Sequence, residues 1–301
     1  MSLRAEIVRL GLRWLLKPTS HPGVTITRRR AQIGNFERWV PRPPSDTETR
    51  YAELGGVRAM HVSTPASLPD RHILFLHGGG YVTGSPELYR HVLWRFADAA
   101  AARVAAAQYR LAPEHPFPAA LDDALAAWHG LLAQGADPQS AVLMGDSAGG
   151  GLAFCLALRL RDGGEQLPAA IVALSPWTDL AVTGDSIGRN ADADPMQNPD
   201  DVPFLASRYL DGADPRHPYA SPLYGDPRGL PPSLIQVGSD EILLDDSVRM
   251  ASRMRDAGCE VELEIWPRMP HVWQTFAAIM PEARRAIARI GAYVQQKTAV
   301  G

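Results

Sequence analysis

The stretch that decides the fold is residues 141–152, which read AVLMGDSAGGGL. Its first four residues are apolar and predict a short buried strand, while residues 149–161 predict a helix. Gly145-Asp146-Ser147-Ala148-Gly149 joins the two and matches the pattern G-x-S-x-G. In so sharp a turn, glycines two residues either side of Ser147 remove Cβ atoms that would collide. The pattern predicts a raised serine hydroxyl at a helix N-terminus, and its structural alternative is a tight turn with a solvated serine.

On both sides of this stretch, short apolar or β-branched runs alternate with helical patterns. This alternation predicts a mostly parallel α/β sheet with helices on both faces. Gly55-Gly56, between residues 50–54 and the next strand, predicts a hairpin, so the sheet begins antiparallel. The predicted strands are 57–63, 73–76, 104–107, 141–144, 171–174, 234–237 and 261–265, and the predicted helices are 88–102, 119–134, 149–161, 247–257 and 281–296.

A glycine run, His77-Gly78-Gly79-Gly80, directly follows the predicted strand 73–76. Three consecutive glycines cost conformational entropy, and a backbone that presents N–H groups to a tetrahedral oxyanion explains them. The predicted donors are the amides of Gly78, Gly79 and Ala148, and His77 is expected to brace the loop. A phosphate cradle is disfavoured, because Thr83 stands where the third glycine of G-x-G-x-x-G belongs.

A serine nucleophile on this type of sheet is followed along the chain by an acid and then by a histidine. Asp240 comes just after the strand 234–237, and His271 comes after the strand 261–265. His217 is the other histidine after Ser147, but it precedes the acid. We therefore predict a triad of Ser147, Asp240 and His271. Three further acids follow Asp240 where the next helix should begin, and a helix N-terminus accounts for them: Glu241, Asp245 and Asp246.

The bulk composition excludes several classes of protein. The chain has 301 residues, 46% of them hydrophobic, and a net charge of −3, so it is globular and lacks the basic excess of a nucleic-acid-binding protein. No metal-ligand spacing is present, and we expect neither a metal nor another cofactor. Cys155 and Cys259 are expected to be unpaired thiols in a reducing compartment.

The first residues predict an amphipathic helix, with Leu3, Ile7, Leu10 and Trp14 recurring at helical spacing. Charged residues interrupt this segment, so a secretory signal is not expected, and no apolar stretch is long enough to span a bilayer. We expect a cytoplasmic protein without stable membrane insertion, although weak interfacial binding by this helix stays open. The predicted divisions are a cap segment at 1–45, a catalytic domain at 46–180 and 216–301, and a cap insertion at 181–215. Arg28-Arg29-Arg30 is expected to be a solvated cap surface.

Six segments together resemble the hormone-sensitive-lipase family of esterases, within the α/β-hydrolase superfamily. They are His77-Gly78-Gly79-Gly80, the run Tyr109-Arg110-Leu111-Ala112-Pro113-Glu114, Gly145-Asp146-Ser147-Ala148-Gly149-Gly150, Ser175-Pro176-Trp177, and the segments around Asp240 and His271. The resemblance implies a mixed eight-stranded sheet, a helical cap, and hydrolysis of carboxylic esters with short or medium acyl chains. It also implies dimers formed through the last strand and helix. Val272-Trp273 departs from the Gly-Phe of many members and leaves the substrate range open.

Four functions fit this pattern. The leading hypothesis is a serine carboxylesterase that forms an acyl-enzyme intermediate with a small ester. A lactone hydrolase using the same triad is the alternative within the enzyme class, and an amidase is a further option. A non-catalytic receptor is the rival from another class, because plant gibberellin receptors resemble this family but have lost the histidine. Ser147, Asp240 and His271 are all present here, which favours catalysis.

Overall fold

The computed structural model describes residues 1–37 and 40–298. The predicted divisions 1–45 and 216–301 therefore include residues 38–39 and 299–301, which lie outside the described part. Eight strands of the described chain form one sheet in the order β1-β2-β4-β3-β5-β6-β7-β8, in which β1, β2 and β4 pair antiparallel and the other pairings are parallel. The strands are β1 Glu48–Leu54, β2 Val57–Ser63, β3 His72–Leu76, β4 Arg103–Ala107, β5 Ala141–Asp146, β6 Ala170–Leu174, β7 Ser233–Gly238 and β8 Val261–Trp266.

Helices cover both faces of this sheet, as the apolar strands require. The α-helices of the described chain are α1 Leu3–Gly11, α2 Ile26–Glu37, α3 Pro86–Ala100, α4 Ala119–Ala133, α5 Ala148–Asp162, α6 Ser186–Arg189, α7 Asp201–Leu210, α8 Leu244–Asp256 and α9 Pro281–Lys297. The fold class predicted from the sequence is confirmed. Each predicted strand is present, and each predicted helix is present with ends displaced by at most a few residues.

The alternation of side chains along the strands divides the core into two layers. In β3, Leu74 and Leu76 join the layer that contains α4 and α5, whereas Ile73 and Phe75 join the layer that contains α3 and α9. Both layers are apolar because neither face of the central strands meets water. Strand β5 pairs with β3 and β6, so its carboxyl end lies near the middle of the sheet.

The two cysteines and the lengths of the helices can be compared with the sequence predictions. Cys155 and Cys259 are both free thiols, as predicted. Across residues 1–37 and 40–298, none of the helices has the length and apolar character needed to cross a bilayer.

Candidate active site

Ser147 lies in the turn between β5 and α5 with φ 52° and ψ −122°, a backbone conformation that costs energy for a residue with a side chain. Its N–H donates to the Leu174 carbonyl at 2.8 Å, and its own carbonyl accepts from the N–H of Trp177 at 2.9 Å and that of Gly151 at 3.1 Å. These bonds tie the turn to the end of β6 and hold the strained residue in place.

The glycines around Ser147 allow three backbone segments to touch. A Cβ at Gly149 would lie 2.0 Å from the Leu76 carbonyl oxygen, and a Cβ at Gly145 would lie 2.3 Å from the Gly149 carbonyl oxygen. No side chain fits at either distance. The close approach brings β3, β5 and α5 together beneath the serine, as the G-x-S-x-G pattern predicts.

A buried histidine and a buried carboxylate lie near the end of β6, the strand to which this turn is hydrogen-bonded. The His271 Nδ1 atom is 2.7 Å from Glu241 Oε2, with the histidine 3% exposed and the glutamate fully buried. Glu241 Oε1 accepts from the Ser175 hydroxyl at 2.8 Å and from the Gly238 N–H at 2.5 Å. The Ser175 hydroxyl in turn accepts from the N–H of Val272 at 3.2 Å. Since Ser175 directly follows β6, it links the acid and the histidine loop to the strand that holds the serine turn.

The predicted pairing of Asp240 with His271 is wrong in this structure. Asp240 Oδ2 instead pairs with the Arg9 guanidinium at 2.8 Å, and its Oδ1 accepts from the Ser239 hydroxyl at 2.9 Å. The helix that was expected to account for Glu241 begins three residues later, at Leu244. Glu241 is free to turn back over the end of β7, where its carboxylate reaches both Gly238 and the imidazole.

The surroundings of His271 favour its charged form. Burial alone would lower the pKa of the imidazole, but the hydrogen bond and the charge of Glu241, helped by Asp194 and Asp146, raise that pKa above its ordinary value. A histidine held in this way takes up a proton readily and stays oriented while it does so.

The glycine loop is held by an internal carboxylate. The Gly78 N–H donates to Asp146 Oδ1 at 2.8 Å, and the Tyr89 hydroxyl donates to Asp146 Oδ2 at 2.8 Å. Burial raises the pKa of Asp146 to about 6, although these hydrogen bonds oppose the shift. The Gly78 N–H is therefore occupied, and its predicted role as an oxyanion donor is wrong.

Other amides of the loop remain available. Within the part of the chain that the structure describes, the N–H groups of Gly79, Gly80 and Ala148 donate to no protein oxygen. Gly79 and Gly80 have φ values of 118° and 62°, which favour glycine. The sequence reasoning missed Gly80, because a run of three glycines does not reveal which amide is used internally.

His77 packs inside the loop, in keeping with the bracing role predicted for it. Its ring stacks on Tyr109 with centroids 4.3 Å apart, its Nδ1 atom lies 2.8 Å from the Gly78 carbonyl, and burial lowers its pKa to about 4. Nowhere in residues 1–37 and 40–298 do three His, Cys, Asp or Glu side chains converge as they would around a metal ion.

The N-terminal segment, residues 1–37, packs against the segment that precedes β7. Arg29 makes a two-pronged ion pair with Asp201 at 2.5 and 2.6 Å. Arg30 pairs with Glu114 and also donates to the Val82 and Ala112 carbonyls near the glycine loop. The expectation that this arginine run is only a solvated surface is therefore wrong for two of its three members. Both attach the N-terminal segment to the rest of the chain, and Arg30 does so near the glycine loop.

Comparison with known proteins identifies the class. A family model described as alpha/beta hydrolase fold matches residues 73–275. This chain therefore belongs to the α/β-hydrolase family.

Individual relatives show which hydrolases this chain is similar to. An acetyl-hydrolase of Streptomyces hygroscopicus is 47% identical over 86% of this chain and 85% of its own length. The crystal structure of an esterase from the bacterial hormone-sensitive lipase family has a TM-score of 0.94 and 43% identity, covering 99% of both chains. A second esterase, in a crystal soaked with p-nitrophenyl butyrate, has a TM-score of 0.94 and 38% identity over 100% of both chains. The predicted family and the predicted enzyme class, an ester hydrolase, are confirmed.

Proposed function

We propose that the chain hydrolyses esters of short-chain carboxylic acids through an acyl-enzyme intermediate on Ser147. His271 acts as the general base, and Glu241 orients the imidazole and stabilises its charged form. The observation that carries this proposal is the buried 2.7 Å contact between His271 and Glu241, joined through Ser175 to the strand end that holds the Ser147 turn.

The reaction follows from these groups. As the Ser147 hydroxyl attacks the ester carbonyl carbon, its proton passes to His271 Nε2 and the carbonyl oxygen becomes an oxyanion. The free N–H groups of Gly79, Gly80 and Ala148 supply the donors that stabilise this charge. His271 then gives the proton to the departing alcohol. Water then attacks the acyl carbon as the same histidine takes its proton. The bond between the acyl carbon and the Ser147 oxygen breaks, the acid leaves, and His271 returns the proton to the serine.

Three observations support a preference for small acyl groups. The relative from Streptomyces hygroscopicus is named an acetyl-hydrolase, and a butyrate ester was used with a structurally similar esterase. In this chain, α7 lies against the glycine loop, since a Cβ at Gly80 would be 2.8 Å from Leu205 Cδ1. We infer that the described parts of segment 1–45, residues 1–37 and 40–45, form a cap with segment 181–215 over the carboxyl edge of the sheet and limit the length of the acyl chain.

The test compares p-nitrophenyl esters of increasing acyl length with the wild type and a Ser147→Ala variant. We expect the highest kcat/KM for acetate or butyrate, and a loss in kcat of about 10⁶-fold in the variant. A simple γ-lactone is included as a further substrate. Faster turnover of the lactone than of any ester would assign the protein as a lactonase and not as an esterase. Wild-type protein that turns over none of these substrates would contradict the proposal and favour the receptor hypothesis.

A further inference from the structure

The first helix of the chain has its apolar side outward. Met1, Leu3, Ile7, Leu10, Trp14, Leu15 and Leu16 are seven of the eleven large hydrophobic residues that are exposed in the described chain. Leu3 is 78% exposed, Trp14 74% and Leu15 79%. With about 100° between successive α-helical residues, Leu3, Ile7 and Leu10 lie on one side of α1, Leu3–Gly11. The chain continues in a π-helical turn, Leu12–Leu16, that carries the exposed Trp14. We call Leu3, Ile7, Leu10 and Trp14 the outer stripe.

The opposite side of this helix is attached to the protein by polar contacts. Ser2 donates to Glu282 through its N–H at 2.6 Å and its hydroxyl at 2.9 Å. Arg9, which is buried, pairs with Asp240 and donates to the Arg268 carbonyl at 2.7 Å. These bonds fix which side of the helix faces the protein. The outer stripe is therefore held in water by the fold, which costs free energy unless another apolar surface covers it.

The charge around the outer stripe is positive. Residues 1–17 contain four basic residues and one acidic residue, whereas the whole chain has a net charge of −3. Of the four, Arg9 is paired with Asp240. Arg4 directly follows Leu3 and Arg13 directly precedes Trp14, and both arginines are exposed. Among the described residues neither has a carboxylate partner, and Arg13 donates only to the carbonyls of Asp192 and Ala193.

We propose that the outer stripe adsorbs to the surface of a lipid bilayer that contains anionic glycerophospholipids. An apolar strip flanked by arginines, with a tryptophan at one end, fits the boundary between acyl chains and anionic headgroups. A second copy of this chain fits less well, because a twofold contact through the stripe would bring the same arginines of two protomers together.

Hydrogen bonds connect the segment that carries the outer stripe to the loop that contains Glu241. Lys17, just past the stripe, donates to the carbonyls of Ala191 and Asp194 at 2.6 Å each. The Asp194 carboxylate accepts from the N–H of Ile242, the residue after Glu241. A lipid surface bound by the outer stripe is thereby connected to the acid loop by a short chain of hydrogen bonds.

The test is flotation of the full chain with vesicles of phosphatidylcholine alone or mixed with phosphatidylglycerol. We expect the wild type to float with the mixed vesicles and to be released by high salt. The double variant Ile7→Gln/Trp14→Gln should bind them at least about 10-fold more weakly, and Arg4→Gln about 5-fold more weakly. The matched control, Leu68→Gln/Ile265→Gln, removes two exposed apolar side chains elsewhere and should bind like the wild type.

All four proteins should hydrolyse a soluble ester at the same rate, since the changed side chains contact none of the groups assigned to catalysis. Failure of the wild type to float with mixed vesicles would overturn the proposal, as would equal losses in the control and the helix variant. A dimer in solution that the helix variant dissociates, without vesicle binding, would show that the outer stripe is a subunit interface instead.

Discussion

Glu241 and Asp240 are adjacent carboxylates with different surroundings. Glu241 is fully buried, and its two oxygens accept from His271, Ser175 and Gly238. The Asp240 side chain is 17% exposed and is paired with Arg9 of the first helix. The first environment suits a group that orients a catalytic imidazole, and the second suits a group that attaches the N-terminal segment.

This difference predicts opposite results for two conservative substitutions. Glu241→Gln should lower kcat on the order of 10⁴-fold, because an amide cannot stabilise the charged imidazole or fix its tautomer. Asp240→Asn is the matched control and should change kcat less than about 10-fold, because the Asp240 carboxylate contacts Arg9 and Ser239 and not His271. Steady-state kinetics on p-nitrophenyl acetate measure both. A larger loss in kcat for Asp240→Asn than for Glu241→Gln would mean that Asp240, the residue predicted from the sequence, orients His271.

The pH dependence of kcat/KM follows from the raised pKa of His271. The base must be neutral to accept the serine proton, so activity rises as pH increases through this pKa. The midpoint of the acidic limb should therefore lie above about 6.5, the ordinary value for histidine. In the residual activity of Glu241→Gln the midpoint should move to lower pH, because the carboxylate that favours the charged form has been removed. A midpoint that stays in place would mean that Glu241 does not set the pKa.

At the scale of single elements, the close contact of α5 with β3 and β5 positions the serine. Gly149→Ala should destabilise the protein by about 3 kcal/mol or more, because its Cβ would lie 2.0 Å from a backbone oxygen that cannot move freely. Gly34→Ala in α2 is the control, since a Cβ there meets nothing within 4 Å and alanine favours helix. Urea unfolding gives both values. Equal stability of the two variants would show that the contact at Gly149 is not tight.

The strands and the helices next to them could be predicted because their apolar patterns are local. Helices α2 and α7 could not be predicted in the same way, since α7 follows a segment rich in Asp and Pro and is joined to α2 by the contact between Arg29 and Asp201. The choice between Asp240 and Glu241 depends on how one loop turns over β7. The use of the Gly78 N–H depends on Asp146, which follows it at a distance in the sequence. These features arise from tertiary contacts that no local pattern records.

For the whole molecule, the Arg29–Asp201 pair links the N-terminal segment to α7. Both side chains are largely buried, at 11% and 6% exposure, so removing one charge leaves the other without compensation. Asp201→Asn should cost about 3 kcal/mol of local stability and increase amide exchange in residues 21–35 by about 100-fold.

Asp200→Asn is the matched control for this effect, because Asp200 is exposed at the same end of α7. Hydrogen exchange followed by mass spectrometry resolves the segment. Unchanged exchange in Asp201→Asn would mean that other contacts hold the two parts together.

Covalent labelling with a p-nitrophenyl phosphonate, followed by mass spectrometry of the digested protein, tests most directly whether Ser147 is the nucleophile. We predict one phosphonyl group per chain on the peptide that contains Ser147, release of one equivalent of p-nitrophenol, and strongly slowed labelling in Glu241→Gln. Ser147→Ala should take up none. A label on another residue would contradict the assignment of the nucleophile. Ester turnover by Ser147→Ala that the phosphonate inhibits would contradict it as well.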